Sequence, residues 1–117
     1  MNSPKTMLHL ESLALLLATL VAYQQLGLNG WLFLALLFVP DASMVGYLAN
    51  ERIGSMTYNM VHTFLGPLVL VGIGLAGEWE LGISIALIWV THIALDRTLG
   101  YGLKYPTAFK DTHLQRV

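Results

Sequence analysis

The chain has 117 residues, 56% of them hydrophobic and only 11% charged, with a net charge of -1 and no cysteine. A soluble domain of this size carries about 25% charged residues to cover its surface, so a bilayer is the natural solvent for this composition. There is no basic excess to suit nucleic acid, and the lack of cysteine excludes disulfides, iron–sulfur clusters and thiolate zinc sites.

Four apolar stretches follow one another, each close to the roughly 20 residues that a spanning helix needs. The first covers about 8–26, with Glu11 and Gln24-Gln25 near its ends, and the turn Gly27-Leu28-Asn29-Gly30 follows it. Lys5 ahead of an apolar run also suits a signal peptide, but no small-residue cleavage site follows, and the tight turn reads as a helical hairpin. The second stretch covers about 31–49 and contains Pro40-Asp41, whose proline is expected to kink it. After the link Asn50-Glu51-Arg52 comes the third, about 53–76. Gly66-Pro67, Gly72, Gly74 and Gly77 make it narrow and bendable. Gly77-Glu78-Trp79-Glu80 leads to the fourth, about 81–103, where Gly82 and Ala86 form a small-residue packing pair. Residues 104–117 read as a polar tail, with Tyr101, Tyr105, Phe109, Lys104 and Lys110 as an interfacial belt for anionic membrane lipid.

The expected architecture is all-α: one domain over residues 1–117, a four-transmembrane-helix bundle running up-down-up-down. In that topology Lys5, Arg52, Lys104, Lys110 and Arg116 share one side, while the links at 27–30 and 77–80 carry no Lys or Arg. The positive-inside rule then places both termini in the cytoplasm.

Ionisable groups inside spanning helices cost about 2.5–3.5 kcal/mol each at the bilayer centre, so they call for a function. Counting about 1.5 Å per residue from the cytoplasmic helix ends puts Asp41 and His62 about 13 Å deep, His92 about 16 Å and Asp96 about 10 Å. Three helices thus bring ionisable groups to one layer. His92 and Asp96 are four apart and share a face, and Tyr58 and Asn59 both neighbour His62.

Asp41, His62, His92 and Asp96 are the candidate ligands of a divalent metal, since imidazole and carboxylate suit zinc, iron or manganese. Asp96 and Glu11 are the candidate general bases, and Tyr58, Asn59 and Arg97 are candidate supports for the site or for a substrate. The alternative is a buried hydrogen-bond and ion-pair network, with Asp96 on Arg97 or His92 and Asp41 on His62 or Asn59. His62 and His92 could also be axial ligands of a haem between the helices. Arg97 could bind a phosphate or carboxylate, or snorkel to the headgroups. Glu11 could instead be an interfacial carboxylate. His113 reads as a solvated tail histidine, or a ligand if the tail folds back.

Several blocks resemble a known family: Leu10-Glu11; Pro40-Asp41-Ala42-Ser43-Met44-Val45-Gly46-Tyr47-Leu48; Tyr58-Asn59-Met60-Val61-His62; the run from His92 to Tyr105 with Asp96-Arg97-Thr98-Leu99-Gly100-Tyr101-Gly102-Leu103-Lys104; and Phe109-Lys110-Asp111-Thr112-His113-Leu114. They are similar to the small bacterial membrane proteins grouped as domain of unknown function 4260. Ser12, Ala94 and Gln115 stand where the family pattern suggests glycine. The resemblance implies a multi-pass protein of the bacterial cytoplasmic (inner) membrane and draws attention to the same ionisable residues, but it brings no activity with it. The functional expectation is a metal-dependent, hydrolase-like membrane enzyme acting on a lipid-like or amphipathic small molecule. The alternatives are a non-enzymatic ligand-binding or proton-coupled protein, a homo-oligomer if it transports, or a structural subunit of a membrane complex.

Overall fold

A computed structural model describes residues 3–117. Helix α1 spans Pro4–Gln25. Ser3 caps it by accepting the Thr6 N–H, and Pro4 sits in the first turn, where its missing N–H costs nothing. Asn29 and Asn50, the polar residues of two links, cap α2 (Gly30–Leu36) and α3 (Glu51–His62) in the same way. A 3-10 helix, Val39–Leu48, follows α2, and α4 (Leu65–Ala76) follows α3. Helix α5 is Glu80–Leu99 and a short α6 is His113–Arg116. Four stretches, Pro4–Gln25, Gly30–Leu48, Glu51–Ala76 and Glu80–Leu99, are long and apolar enough to cross a membrane.

Helix α5 is the most buried of these and packs against α1, α2 and α4, while the 3-10 helix lies along α3. Small and hydroxyl residues bring α1 and α5 together: Ala86 is fully buried, and Thr91 Oγ1 donates to Thr19 Oγ1 at 3.0 Å. The 3-10 helix meets α3 at glycines. A Cβ on Gly46 would lie 3.0 Å from the Ile53 carbonyl oxygen and 3.2 Å from Gly54 Cα.

The two middle stretches are interrupted rather than merely kinked, and the prolines explain where. Proline cannot donate to the carbonyl four residues earlier, and its ring crowds that carbonyl. Four residues before Pro40 is Leu36, the last residue of α2. Four before Pro67 is Thr63, which is extended (φ -92°, ψ 154°) and separates α3 from α4. The second stretch therefore resumes as a 3-10 helix, and the third breaks directly after His62. Side chains from α5 take up carbonyls of the broken end: Trp89 Nε1 donates to Val61 O at 2.6 Å and Arg97 Nη2 to His62 O at 3.3 Å. In a bilayer, such irregular backbone survives where protein or a polar cavity satisfies it.

The fourth helix ends at Leu99, four residues short of the sequence expectation. Gly100 adopts φ +101°, and the Gly100 and Tyr101 N–H groups bond back to Arg97 O (3.1 Å) and Asp96 O (2.8 Å), a Schellman stop. The remaining residues fold back as a cap, with 106–110 and 115–117 exposed. Tyr105 N–H bonds Asp111 O and His113 N–H bonds Leu103 O, both at 2.8 Å, around an isolated bridge between Lys104 and Thr112. Asn59 on α3 clasps the other edge: its Nδ2 donates to Lys104 O (2.7 Å) and its Oδ1 accepts the Lys104 N–H (2.6 Å). Lys104, Thr112 and Leu114 are buried as a result. At the outer end Arg116 pairs with Asp111 at 2.6 Å and stacks on Tyr105. Arg116 and the Thr107 hydroxyl hold the Asp111 carboxyl at about 2. Of the expected belt residues, Lys104 is drawn into the cap, while Tyr101, Phe109 and Lys110 stay exposed. Phe109 packs on Tyr47, with ring centroids 5.1 Å apart.

Two outcomes follow from this packing. Gly46→Leu forces the 3-10 helix off α3 and should lower stability by about 1–3 kcal/mol in a detergent-unfolding titration, as overpacking does. Asn59→Ala removes both bonds to the buried Lys104 backbone, worth about 1 kcal/mol each. Amide exchange at Lys104 should accelerate at least tenfold, while α5 amides facing α1 stay protected.

Candidate metal centre

Asp41 enters in the first turn of the 3-10 helix, just past the Pro40 break. His62 is the last residue of α3. His92 and Asp96 lie one turn apart on α5. The structure brings these four together: one donor atom from each lies within 4.8 Å of all the others. His92 Nε2 is 3.0 Å from Asp41 Oδ1 and 3.2 Å from Asp96 Oδ2. His62 Nε2 is 3.4 Å from Asp41 Oδ1, 3.5 Å from Asp96 Oδ2 and 3.1 Å from His92 Nε2. Both imidazoles are buried, and Asp41 and Asp96 are partly open, at 35% and 17% side-chain exposure.

A hydrogen bond and a stacked ring fix His62. Its Nδ1 lies 2.9 Å from the Tyr58 carbonyl, which can only accept, so Nδ1 carries the proton of that bond. Tyr58 stacks flat on the ring, with centroids 3.7 Å apart and a 5° interplanar angle, and its OH lies 3.4 Å from Asp96 Oδ2. Ser43 Oγ is 3.5 Å from the same Nδ1. In the neutral ring, Nε2 is then a bare lone pair that faces two carboxylate oxygens and a second imidazole nitrogen. Acceptors so placed repel unless something positive lies among them. Two fillings satisfy them: protons, which make His–Asp ion pairs, or a divalent cation. His92 Nδ1 is buried beside the Leu37 backbone without a well-formed hydrogen bond.

The other expected residues lie apart from this group. Asn59 holds the cap. Arg97 turns away to the His62 carbonyl and the Phe64 ring, 4.6 Å from its centroid, and forms no ion pair with Asp96. Glu11 is exposed on α1 and lines a separate 130 Å³ cavity with Arg97 and His113. His113 is neither solvated nor a member of the cluster: its Nδ1 accepts the Leu103 N–H at 2.8 Å. Burial, and then the nearby Arg97 charge, lower its pKa. A haem does not fit between His62 and His92, whose Nε2 atoms are in direct contact.

Lys104 is the residue that reading the sequence misses. It lines a 190 Å³ cavity on the cap side of the cluster together with Asp41, Asp96, Tyr58, Tyr101 and Phe109. Its Nζ donates to Phe109 O at 2.6 Å and sits over the Tyr58 and Phe109 rings, at 4.5 and 3.5 Å. Burial lowers its pKa, and the Asp96 and Asp41 charges oppose that fall. The one local hint is a lysine set among Tyr101, Leu103 and Tyr105.

No curated protein and no solved structure matches the chain. A family model described as a domain of unknown function (DUF4260) matches residues 5–117, so the chain belongs to that family.

Proposed function

We propose that this protein is a metal-dependent membrane enzyme of hydrolase type, with its centre in the cytoplasmic half of the bilayer of the bacterial inner membrane. The observation that carries the reading is the spacing of the donors. Four ligands about 2.0–2.1 Å from a tetrahedral cation lie about 3.3–3.4 Å from one another. Five of the six separations run from 3.0 to 3.5 Å, and the sixth, between Asp41 and Asp96, is within 4.8 Å. Tyr58, by fixing the His62 tautomer, presents an Nε2 lone pair to the centre in the manner of a second-shell carbonyl.

In this reading Asp41, His62 and His92 hold zinc, iron or manganese, and Asp96 is either a fourth ligand or the base. A metal there supplies Lewis acidity that activates water for attack on an ester-like bond. Asp96 suits the base role because it opens to the cap-side cavity and its Oδ2 has the Tyr58 hydroxyl at 3.4 Å to orient it. Glu11 lies on another cavity, so the base role falls to Asp96 alone. The basic residues at the termini and in the 50–52 link support the orientation, with both termini cytoplasmic.

Protein purified after growth in each of the three metals should carry about one metal per chain, measured by mass spectrometry. His62→Ala and His92→Ala should each carry less than a tenth of that. Sub-stoichiometric metal in every preparation would leave only the ion-pair network. Fusions test the orientation: a fluorescent protein that folds only in the cytoplasm should light up at the C-terminus and stay dark in the 77–80 link.

A further inference from the structure

Two unlike cavities lie near the cluster. Asp41 and Asp96 themselves line the cap-side cavity with Lys104. The other is a 580 Å³ cavity that is almost wholly apolar; α5 contributes Ile88 and Ile85 to it, roughly one and two turns before His92. Its other walls include Pro40, Ala42, Val61 and Trp89. All of these walls but Ile85 are sequence neighbours of the cluster or about one turn from it: Pro40 and Ala42 flank Asp41, Val61 precedes His62, and Ile88 and Trp89 are about one turn before His92. The volume falls within the range of about 300–1,000 Å³ usual for small-molecule sites.

Charge separates the two cavities further. Two carboxylates and a divalent cation cancel, and the Lys104 ammonium then leaves a formal excess of one positive charge at the cluster. Lys104 is 5% exposed, and among the described residues its ammonium has no carboxylate within 4 Å. Of its three N–H donors, one is spent on a carbonyl and the rest lie among aromatic rings. Asp41 and Asp96 line the same cavity, and with both engaged by the metal the ammonium is left for an anion that the substrate brings.

We infer that the substrate is an anionic amphiphile, a lipid whose charged oxygens lie between the Asp/His cluster and Lys104 and whose hydrocarbon chain enters the apolar cavity. The inference rests on the metal-centre reading and adds to it the charge and shape of the molecule acted upon. The bond to be cleaved then lies at the junction of head and chain, where the cluster is. Lys104 selects the substrate by charge, and Tyr101, half-exposed at the cavity mouth, borders the head.

Trp89 lines the apolar cavity and can report on its filling. In a chain carrying Trp31→Phe and Trp79→Phe, its fluorescence is titrated with ether-linked short-chain phosphatidylglycerol, with the matching uncharged ether diglyceride and with inorganic phosphate. Metal per chain is measured on the same samples. The charged lipid should bind at least tenfold more tightly than the uncharged one, and phosphate alone should leave Trp89 unchanged. Lys104→Gln should abolish the preference with metal content intact, Lys104→Arg should keep most of it, and Ala42→Phe should weaken both lipids. Equal affinity for the two lipids in the parent chain overturns the inference without recourse to any variant, as does a preference that survives Lys104→Gln. Metal-free protein that still prefers the charged lipid overturns the metal centre instead.

Discussion

Two imidazoles and two carboxylates in the apolar stretches of so small a chain find few partners besides one another and Tyr58. Hydrocarbon offers them no hydrogen bonds, and the cost of leaving any one unpaired exceeds what most single contacts contribute. Their meeting therefore fixes which faces of α3, α5 and the 3-10 helix point inward, and the rest of the packing accommodates it. Helix α5, which contributes two of the four, is accordingly the buried centre of the fold.

The two prolines solve a geometric problem that this meeting creates. A straight helix presents its side chains on a spiral at a fixed rise. By ending α2 at Leu36 and opening the backbone at Thr63, Pro40 and Pro67 let Asp41 and His62 approach α5 from independently adjustable segments. The carbonyls exposed by the second break are taken up by Trp89 and Arg97, so α5 both completes the cluster and seals the irregular backbone around it. Arg97 is thereby tied to the main chain of one candidate ligand while it borders the separate cavity with Glu11 and His113.

Much of this was legible in the sequence, for identifiable reasons. Asp41, His62, His92 and Asp96 stand out because each is ionisable within an apolar stretch, and residue rise alone puts them at one depth. The four stretches follow from length and composition, and family membership from blocks spread along the chain. What escaped depends on contacts distant in sequence. The fold-back of the polar tail escaped because nothing within residues 104–117 reveals that the Asn59 side chain, on another helix, bonds its backbone. Lys104 looked like an interfacial lysine because its burial is a product of that fold-back. Pro40 announced a kink, but nothing in the sequence signals that the 10 residues from Val39 to Leu48 wind as a 3-10 helix.

The clasp also ties together parts of the chain that are far apart. Asn59 lies 45 residues before Lys104, yet its one amide group both donates to and accepts from the lysine's main chain. The burial of Lys104 is therefore held from another helix. Loosening the middle of α3 would uncover that lysine without touching any residue beside it.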